Sequence, residues 1–293
     1  MRDSTGFSPA SLLRAVLTLA AERCPKVCRV RVLLLGGTTE GRELMVALVA
    51  TGIEVIDSVA GRTAEARTGG AQRIGGFGGV EGLTAYLRAH AVDAVVDATH
   101  PFATQMTANA ATAWAATETP LVRLSRPSWA GRDDSAAWTW VSDHSAAAAA
   151  VAEAGMSVRG RVLLTVGRQP LDAYRALPDV LARVAEVPGG WLVPRGWELR
   201  AQRGPFDLES ELTLLRTERI AALVSKDAGG QASVAKLDAA AYLGTRVFMV
   251  ARPPTPPNLV EVPTTSAVVE WLADLSIGDS RPRDRVRPRR RRP

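Results

Sequence analysis

Cysteine is nearly absent. The 293-residue chain holds two, Cys24 and Cys28, together with three histidines. Two thiols one helical turn apart, with no histidine beside them, form neither a zinc site nor a disulfide framework, so no metal is expected. Aromatic residues make up 5% of the chain and hydrophobic residues 46%, enough for a substantial aliphatic core. Long apolar runs are missing too. The stretch Ala15 to Ala21 falls far short of the about 20 residues that span a bilayer. The same segment lacks the uninterrupted apolar region and small-residue cleavage site of a signal peptide. These absences predict a cytoplasmic chain with no membrane partner.

Two enzyme signatures are also absent. No Tyr-x-x-x-Lys exists, because Tyr86, Tyr174 and Tyr242 are followed four residues later by His90, Pro178 and Arg246. That excludes the short-chain dehydrogenases. The dinucleotide fingerprint G-x-G-x-x-G is replaced by G-G-T-T-E-G at Gly36 to Gly41.

Charge of one sign is scarce outside one segment. The net charge is +6, but eight arginines and one aspartate lie in Arg281 to Pro293, leaving 28 basic against 29 acidic residues elsewhere. The tail "RPRDRVRPRRRRP" has almost nothing to bury and is expected to stay disordered. The body carries no basic excess, so a nucleic-acid partner is not expected.

From Arg29 onward, short β-rich runs alternate with amphipathic helical stretches. Strands are expected at Arg31–Leu35, Ile53–Val59, Gln72–Ile74, Ala94–Ala98 and Leu121–Ser125, with helices at Glu40–Ala50, Val80–His90 and Phe102–Thr117. After a connector, "RPSWAGRDDSAAWTW", the alternation restarts. Strands are expected at Arg161–Val166, Leu181–Val187, Ala222–Ser225 and Arg246–Val250. Helices are expected at Leu171–Ala176, Leu208–Ile220, Ala232–Leu243 and Ser266–Leu275. The pattern predicts an α/β fold of two Rossmann-like domains with mainly parallel sheets and a ligand cleft between them. The expected parts are an N-terminal extension (1–28), a nucleotide-binding domain (29–127), a substrate-side domain (128–276) and the basic tail (277–293).

Open parallel sheets bind ligands at the carboxyl ends of their strands. The first strand ends in Gly36, Gly37, Thr38, Thr39 and Glu40. Its glycines admit a close ligand, and the helix beyond offers free N–H groups to phosphate; the bland alternative is a glycine turn with Thr39 as helix cap. After the second strand come Gly61 and Arg62, where an arginine suits a 2′-phosphate; Asp57 falls inside the strand. Asp97, Thr99 and His100 end the "DAVVDATHP" run, and Ser125 and Arg126 end the next. In the second half Arg168 follows a strand, as do Lys226, Asp227, Gly229 and Gly230.

These segments, in order and spacing, resemble the precorrin-6A reductase family of cobalamin biosynthesis. The likeness runs through "VLLLGGTTEGREL", "AGRT", "RIGGFGGVEGL", "DAVVDATHPFA", "RLSRPSW", "LLTVGR", "LVSKDAGG" and "AKLDAAAYLGTRVFMVARP", from about residue 30 to about residue 275. "RIGGFGG" is closer to the metal-free than to the cobalt branch, and Ala228 stands where the pattern suggests a hydroxyl residue. The resemblance implies NADPH-dependent reduction of one double bond of a tetrapyrrole precursor, with possible hand-over to other corrin-pathway enzymes. It implies cofactor contacts at Gly36, Gly37, Thr38, Thr39, Glu40, Gly61, Arg62, Thr99, Ser125 and Arg126. Substrate contacts are implied at Arg168, Lys226, Asp227, Gly229 and Gly230. Asp97, His100, Lys226 and a bound water are the candidates for the proton donor. Two rivals come from other classes. A threonine amidohydrolase needs a second Thr-Asp pair and a lysine that "DATHP" does not supply, and a non-catalytic dinucleotide-binding protein has no need of the basic corners in the second half.

Overall fold

In the computed structural model, residues 30–59, 71–155, 159–187 and 189–278 are described. Cys24, Cys28, Gly61, Arg62, the N-terminal extension and the arginine tail lie outside them. The chain forms two compact units. The first takes the described residues up to Thr99, then Gln105–Ser125, then those from Pro256 on; the second takes His100–Thr104 and Arg126–Thr255.

The first unit is built on a six-stranded sheet. Its strands are β1 (Arg31–Leu35), β2 (Glu54–Val59), β3 (Ala71–Ile74), β4 (Ala94–Asp97), β5 (Leu121–Leu124) and β12 (Val260–Val262). They run in the order β3-β2-β1-β4-β5-β12, and every pairing is parallel. "VLLL" in β1 is buried throughout, as a strand covered on both faces must be. On one face Val32, Leu34, Val55 and Val96 pack against Leu44 and Leu48 of helix Thr39–Ala50 and Val268 and Leu272 of helix Thr265–Gly278. On the other, Leu33, Leu35 and Val95 meet Leu83 and Leu87 of helix Gly79–Ala89 and Ala110 and Ala113 of helix Thr104–Thr117.

The second unit repeats the plan with β6 (Thr139–Val141), β7 (Arg161–Leu164), β8 (Val180–Val184), β9 (Trp197–Ala201), β10 (Ile220–Lys226) and β11 (Arg246–Val250). The order is β9-β8-β7-β10-β11-β6, again all parallel. Leu164, Val180 and Val224 face a core around Tyr174 and Phe248; Leu163, Leu181 and Leu223 face one with Trp129, Leu215 and Leu237.

In both sheets the strand order reverses once, between β1 and β4 and between β7 and β10. Each is a doubly wound, Rossmann-like order, and each reversal opens a crevice at the carboxyl ends of its two strands. The sixth position differs. It is filled in the first sheet by β12, from the far end of the chain, and in the second by β6, which precedes the other five. The expected second domain, 128–276, is therefore corrected: beyond Thr255 the chain rejoins the first sheet through β12 and helix Thr265–Gly278. The cause is the apolar face of that helix, which completes the aliphatic layer over Leu44 and Val122.

Other elements depart from expectation. The stretch Leu171–Ala176 is a 3-10 turn, Leu171–Tyr174. Strands β6, β9 and β12 and helix His144–Glu153 are not among the expected elements. "TWV" is three residues long, "WELRA" is half polar, and the run of alanines in "HSAAAAAVAE" carries no amphipathic period.

Candidate functional site

In the first unit, the crevice between β1 and β4 is lined by the G-G-T-T-E-G loop. A Cβ on Gly36 would fall 2.6 Å from the Asp57 carboxylate, and Gly37 sits at φ 109°, so neither position accepts a side chain without strain. A Cβ on Gly41 would crowd Thr38 and Ala98 at 3.2 and 3.4 Å, so this glycine lets the helix pack close to the strand end. Thr38, not Thr39, is the helix cap: its Oγ1 accepts from the Gly41 N–H at 3.0 Å and donates to the Ala98 carbonyl at 2.8 Å. One hydroxyl thus closes the loop and ties it to β4. Thr39 Oγ1 accepts from Arg42, and half-buried Glu40 lies in the first helical turn, where its charge suits the helix dipole. Asp57 lies inside β2, as expected, and is 2% exposed.

Asp97 closes β4 and is 0% exposed. Its Oδ1 accepts from the Thr99 N–H at 3.0 Å and the Thr99 hydroxyl at 2.6 Å, and its Oδ2 from Thr107 at 2.7 Å. A carboxylate enclosed by three protein donors is a brace for the Thr99 turn. Ser125 follows β5 and donates its N–H to Val262 of β12.

In the second unit, β10 ends in Lys226 and β7 leads to Gly167, so both border the second crevice. The Lys226 ammonium lies 5.0 Å over the Phe102 ring and has no carboxylate within ion-pair distance among the described residues. Burial pulls its pKa down to about 8. The segment His100–Thr104 brings His100 to this unit. Its Nδ1 accepts from the Phe102 N–H at 3.2 Å, which puts the ring proton on Nε2. Burial first, then the charges of Lys226, Arg126, Lys236 and Arg252, hold its pKa down to about 3. A neutral imidazole is a hydrogen-bond donor and a poor acid.

Asp227 is turned into its own unit. It is 3% exposed, accepting from the Ser128 hydroxyl at 2.6 Å and the Trp129 N–H at 2.9 Å, with Arg252 Nε 3.2 Å from its Oδ2. The Arg252 guanidinium also donates to the Asp227, Arg126 and Pro127 carbonyls. Arg126, expected on the nucleotide side, donates to the Ala228 carbonyl and belongs to the second unit. A Cβ on Gly229 would lie 2.3 Å from both Arg252 Nη2 and the Pro127 carbonyl, and Gly229 and Gly230 have φ of 65° and 75°. These glycines shape the loop. The Ala228 methyl sits in the core beside Trp129, which explains an apolar residue there. Arg168 is exposed, 3.7 Å from Glu186, an ion pair too open to be worth much and thus available to an anion.

Sequence reasoning passed over His144 and Tyr174, whose Nδ1 and hydroxyl lie 2.8 Å apart beside Phe102. The only signal was "SDH", an aspartate placed to cap a helix. A separate concavity of about 480 Å³, lined by Trp138, Arg159 and Arg246, lies at the amino ends of β10 and β11, away from both reversals.

Two doubly wound units, one with a glycine-hydroxyl loop at its reversal and one with a lysine, define a Rossmann-like α/β protein of the dinucleotide-dependent kind. The model of the family described as Precorrin-6x reductase CbiJ/CobK matches residues 31–273, and the chain belongs to that family. The precorrin-6A reductase of Mycobacterium tuberculosis is 47% identical over 248 residues, covering 84% of this chain and 98% of that one. A cobalt-precorrin-6A reductase of Priestia megaterium is 31% identical over 236 residues, covering 76% and 90%. The solved structure titled CobK precorrin-6A reductase is 40% identical, covers 84% of this chain and 97% of its own, and superposes with a TM-score of 0.76. No helix among the described residues is long and apolar enough to cross a membrane.

Proposed function

We propose that this chain reduces one ring double bond of precorrin-6A to give precorrin-6B, using NADPH, in the cytoplasm. The contrast between the two crevices carries the reading. The first offers backbone and hydroxyl groups around Gly36, where a Cβ would meet the Asp57 carboxylate, and around Gly37, whose positive φ suits glycine, a cradle suited to a pyrophosphate. The second offers Lys226, next to Phe102 and without a carboxylate partner among the described residues, and exposed Arg168 in the loop after β7, a surface suited to a polycarboxylate macrocycle.

NADPH supplies the hydride when bound. Gly36, Gly37, Thr38, Thr39, Glu40, Thr99 and Ser125 are the described residues assigned to hold it, with Gly61 and Arg62 from outside them. Asp97 holds the Thr99 turn in place, and Thr38 holds the loop against β4. The carbon next to the reduced one needs a proton, and Lys226 holds one at Nζ; a pKa near physiological pH lets it give the proton up and regain it. His100 donates a hydrogen bond through Nε2, and Arg126 joins the cations on the substrate side. The greater identity to the precorrin-named relative than to the cobalt-precorrin one favours the metal-free substrate.

The test is reduction of precorrin-6A by the purified protein, followed through loss of reduced-nicotinamide absorbance, with NADH and the cobalt-containing substrate run in parallel. Consumption of NADPH matched by product is expected; no turnover with either substrate overturns the reading. Arg62→Ala should weaken NADPH about tenfold or more and leave NADH unchanged, the loss of one charge-assisted phosphate contact. Equal losses for both nicotinamides remove Arg62 from the 2′-phosphate role.

A further inference from the structure

Helix His144–Glu153 opens on an imidazole that the mechanism above does not use. Asp143 caps the helix, accepting from the Ala146 N–H at 2.9 Å, so the first turn is already satisfied and His144 is held at its start. Its Nδ1 lies 2.8 Å from the Tyr174 hydroxyl, with the two rings edge-on at 5.8 Å. Tyr174 is 0% exposed and packed among Val166, Leu171 and Phe248, so it has no freedom to follow the imidazole elsewhere. Burial pushes the phenol pKa up, which keeps its proton and makes it the donor to Nδ1. In a neutral ring the hydrogen then resides on Nε2, on the other side.

Among the described residues the groups facing this ring are few: Tyr174 behind it, Asp143 on its own turn, Phe102 with ring centroids 6.5 Å away, and the Lys226 ammonium above Phe102. Burial and the Lys226 charge hold the His144 pKa down to about 4, so the ring is uncharged at physiological pH. Its Nε2 has no hydrogen-bond partner among the described residues. A core tyrosine fixing a half-buried imidazole, with the donor nitrogen left over next to an ammonium, is a receptor for an anion.

We propose that His144, oriented by Tyr174, is a substrate-binding residue whose Nε2–H receives a carboxylate of the macrocycle beside the Lys226 ammonium. The proposal rests on the polycarboxylate reading of the substrate given above. A neutral donor suits the place, since a permanent cation there would repel Lys226 in the free protein. With the carboxylate bound, the negative charge raises the imidazole pKa, so binding favours the protonated ring and tightens as pH falls.

Precorrin-6A binding, titrated without nicotinamide so that no turnover occurs, tests this in the wild type, His144→Ala, His144→Gln and Tyr174→Phe. His144→Ala should weaken binding about tenfold or more, with nicotinamide affinity unchanged. His144→Gln keeps an N–H donor and should restore most of the loss, but with a flatter dependence on pH above about 4, where the bound carboxylate raises the imidazole pKa. Tyr174→Phe frees the ring to change tautomer and should weaken binding by less than His144→Ala. Wild-type affinity in a folded His144→Ala protein overturns the assignment while leaving the substrate reading intact. Failure of the wild type to bind precorrin-6A removes the substrate reading itself.

Discussion

Lys226 is a lysine whose neighbours among the described residues neither neutralise it nor let it stay fully hydrated. With burial pulling its pKa down to about 8, the ammonium acid is intact below that pH and lost above it. Single-turnover reduction should therefore fall as pH rises through about 8, and Lys226→Met should lower it by roughly 10²–10⁴-fold at neutral pH while nicotinamide affinity is retained. His100→Asn, by contrast, should keep most of that rate, because its imidazole is already neutral. A Lys226→Met protein with wild-type single-turnover rate would hand the proton to water. At this scale the sequence shows which polar residues end the strands and hides which of them are used up. Asp97 and Asp227 looked like Lys226 in the string of letters. Their oxygens are taken by Thr107, ten residues on, and by Ser128 and Trp129, nearly a hundred residues back. No local pattern announces such convergence.

Among the elements, the glycine loop is the most sharply determined. Gly37→Ala must adopt φ 109° with a Cβ, and Gly36→Ala must push the Asp57 carboxylate aside. Both should weaken nicotinamide binding about tenfold or more, Gly37→Ala because a non-glycine residue held at positive φ costs about 1–2 kcal/mol and Gly36→Ala because the loop must shift away from Asp57. Binding of precorrin-6A should not change. Isothermal titration with each ligand separates the two effects, and loss of both would point to general damage. The loop was legible because "VLLLGG" leaves no doubt where an apolar strand stops. Strands β1 and β11 match expectation residue for residue for the same reason. Edge strands β6 and β9 carry polar or aromatic residues that read as connector, so only pairing reveals them. Charge in the second half was equally opaque: Arg161, with Asp179, Glu198 and Glu218 around it, is a structural hub at the amino end of β7.

For the whole molecule, the composition promised a large aliphatic core, and two cores per sheet bear that out. One buried group works against stability. Lys236 is 6% exposed with its Nζ 5.5 Å from the Trp129 ring centroid, and burial lowers its pKa from 10.5 to about 7. Between those two values the unfolded chain binds the proton more readily than the folded one, so stability should rise with pH across that window. Below about pH 7 the cost of burying the charge is fully present. Lys236→Met should raise the melting temperature at neutral pH and flatten the rise above it. Calorimetry over that range checks both, and an unstable Lys236→Met protein would mean the amine has a partner in solution.

The two ways of filling the sixth position also set an order of events during synthesis. A ribosome that has released residues up to Ser125 has delivered five of the six strands of the first sheet, leaving β5 with an open edge. The layer that helix Thr265–Gly278 covers is still bare. The second sheet, in contrast, has its edge strand β6 from the outset and lies within one uninterrupted stretch, Arg126–Thr255. The later-made unit should thus reach its native state first. Expressed alone, 126–255 should give a soluble fragment with a cooperative melt, whereas 30–125 should aggregate until residues 256–278 are added in trans.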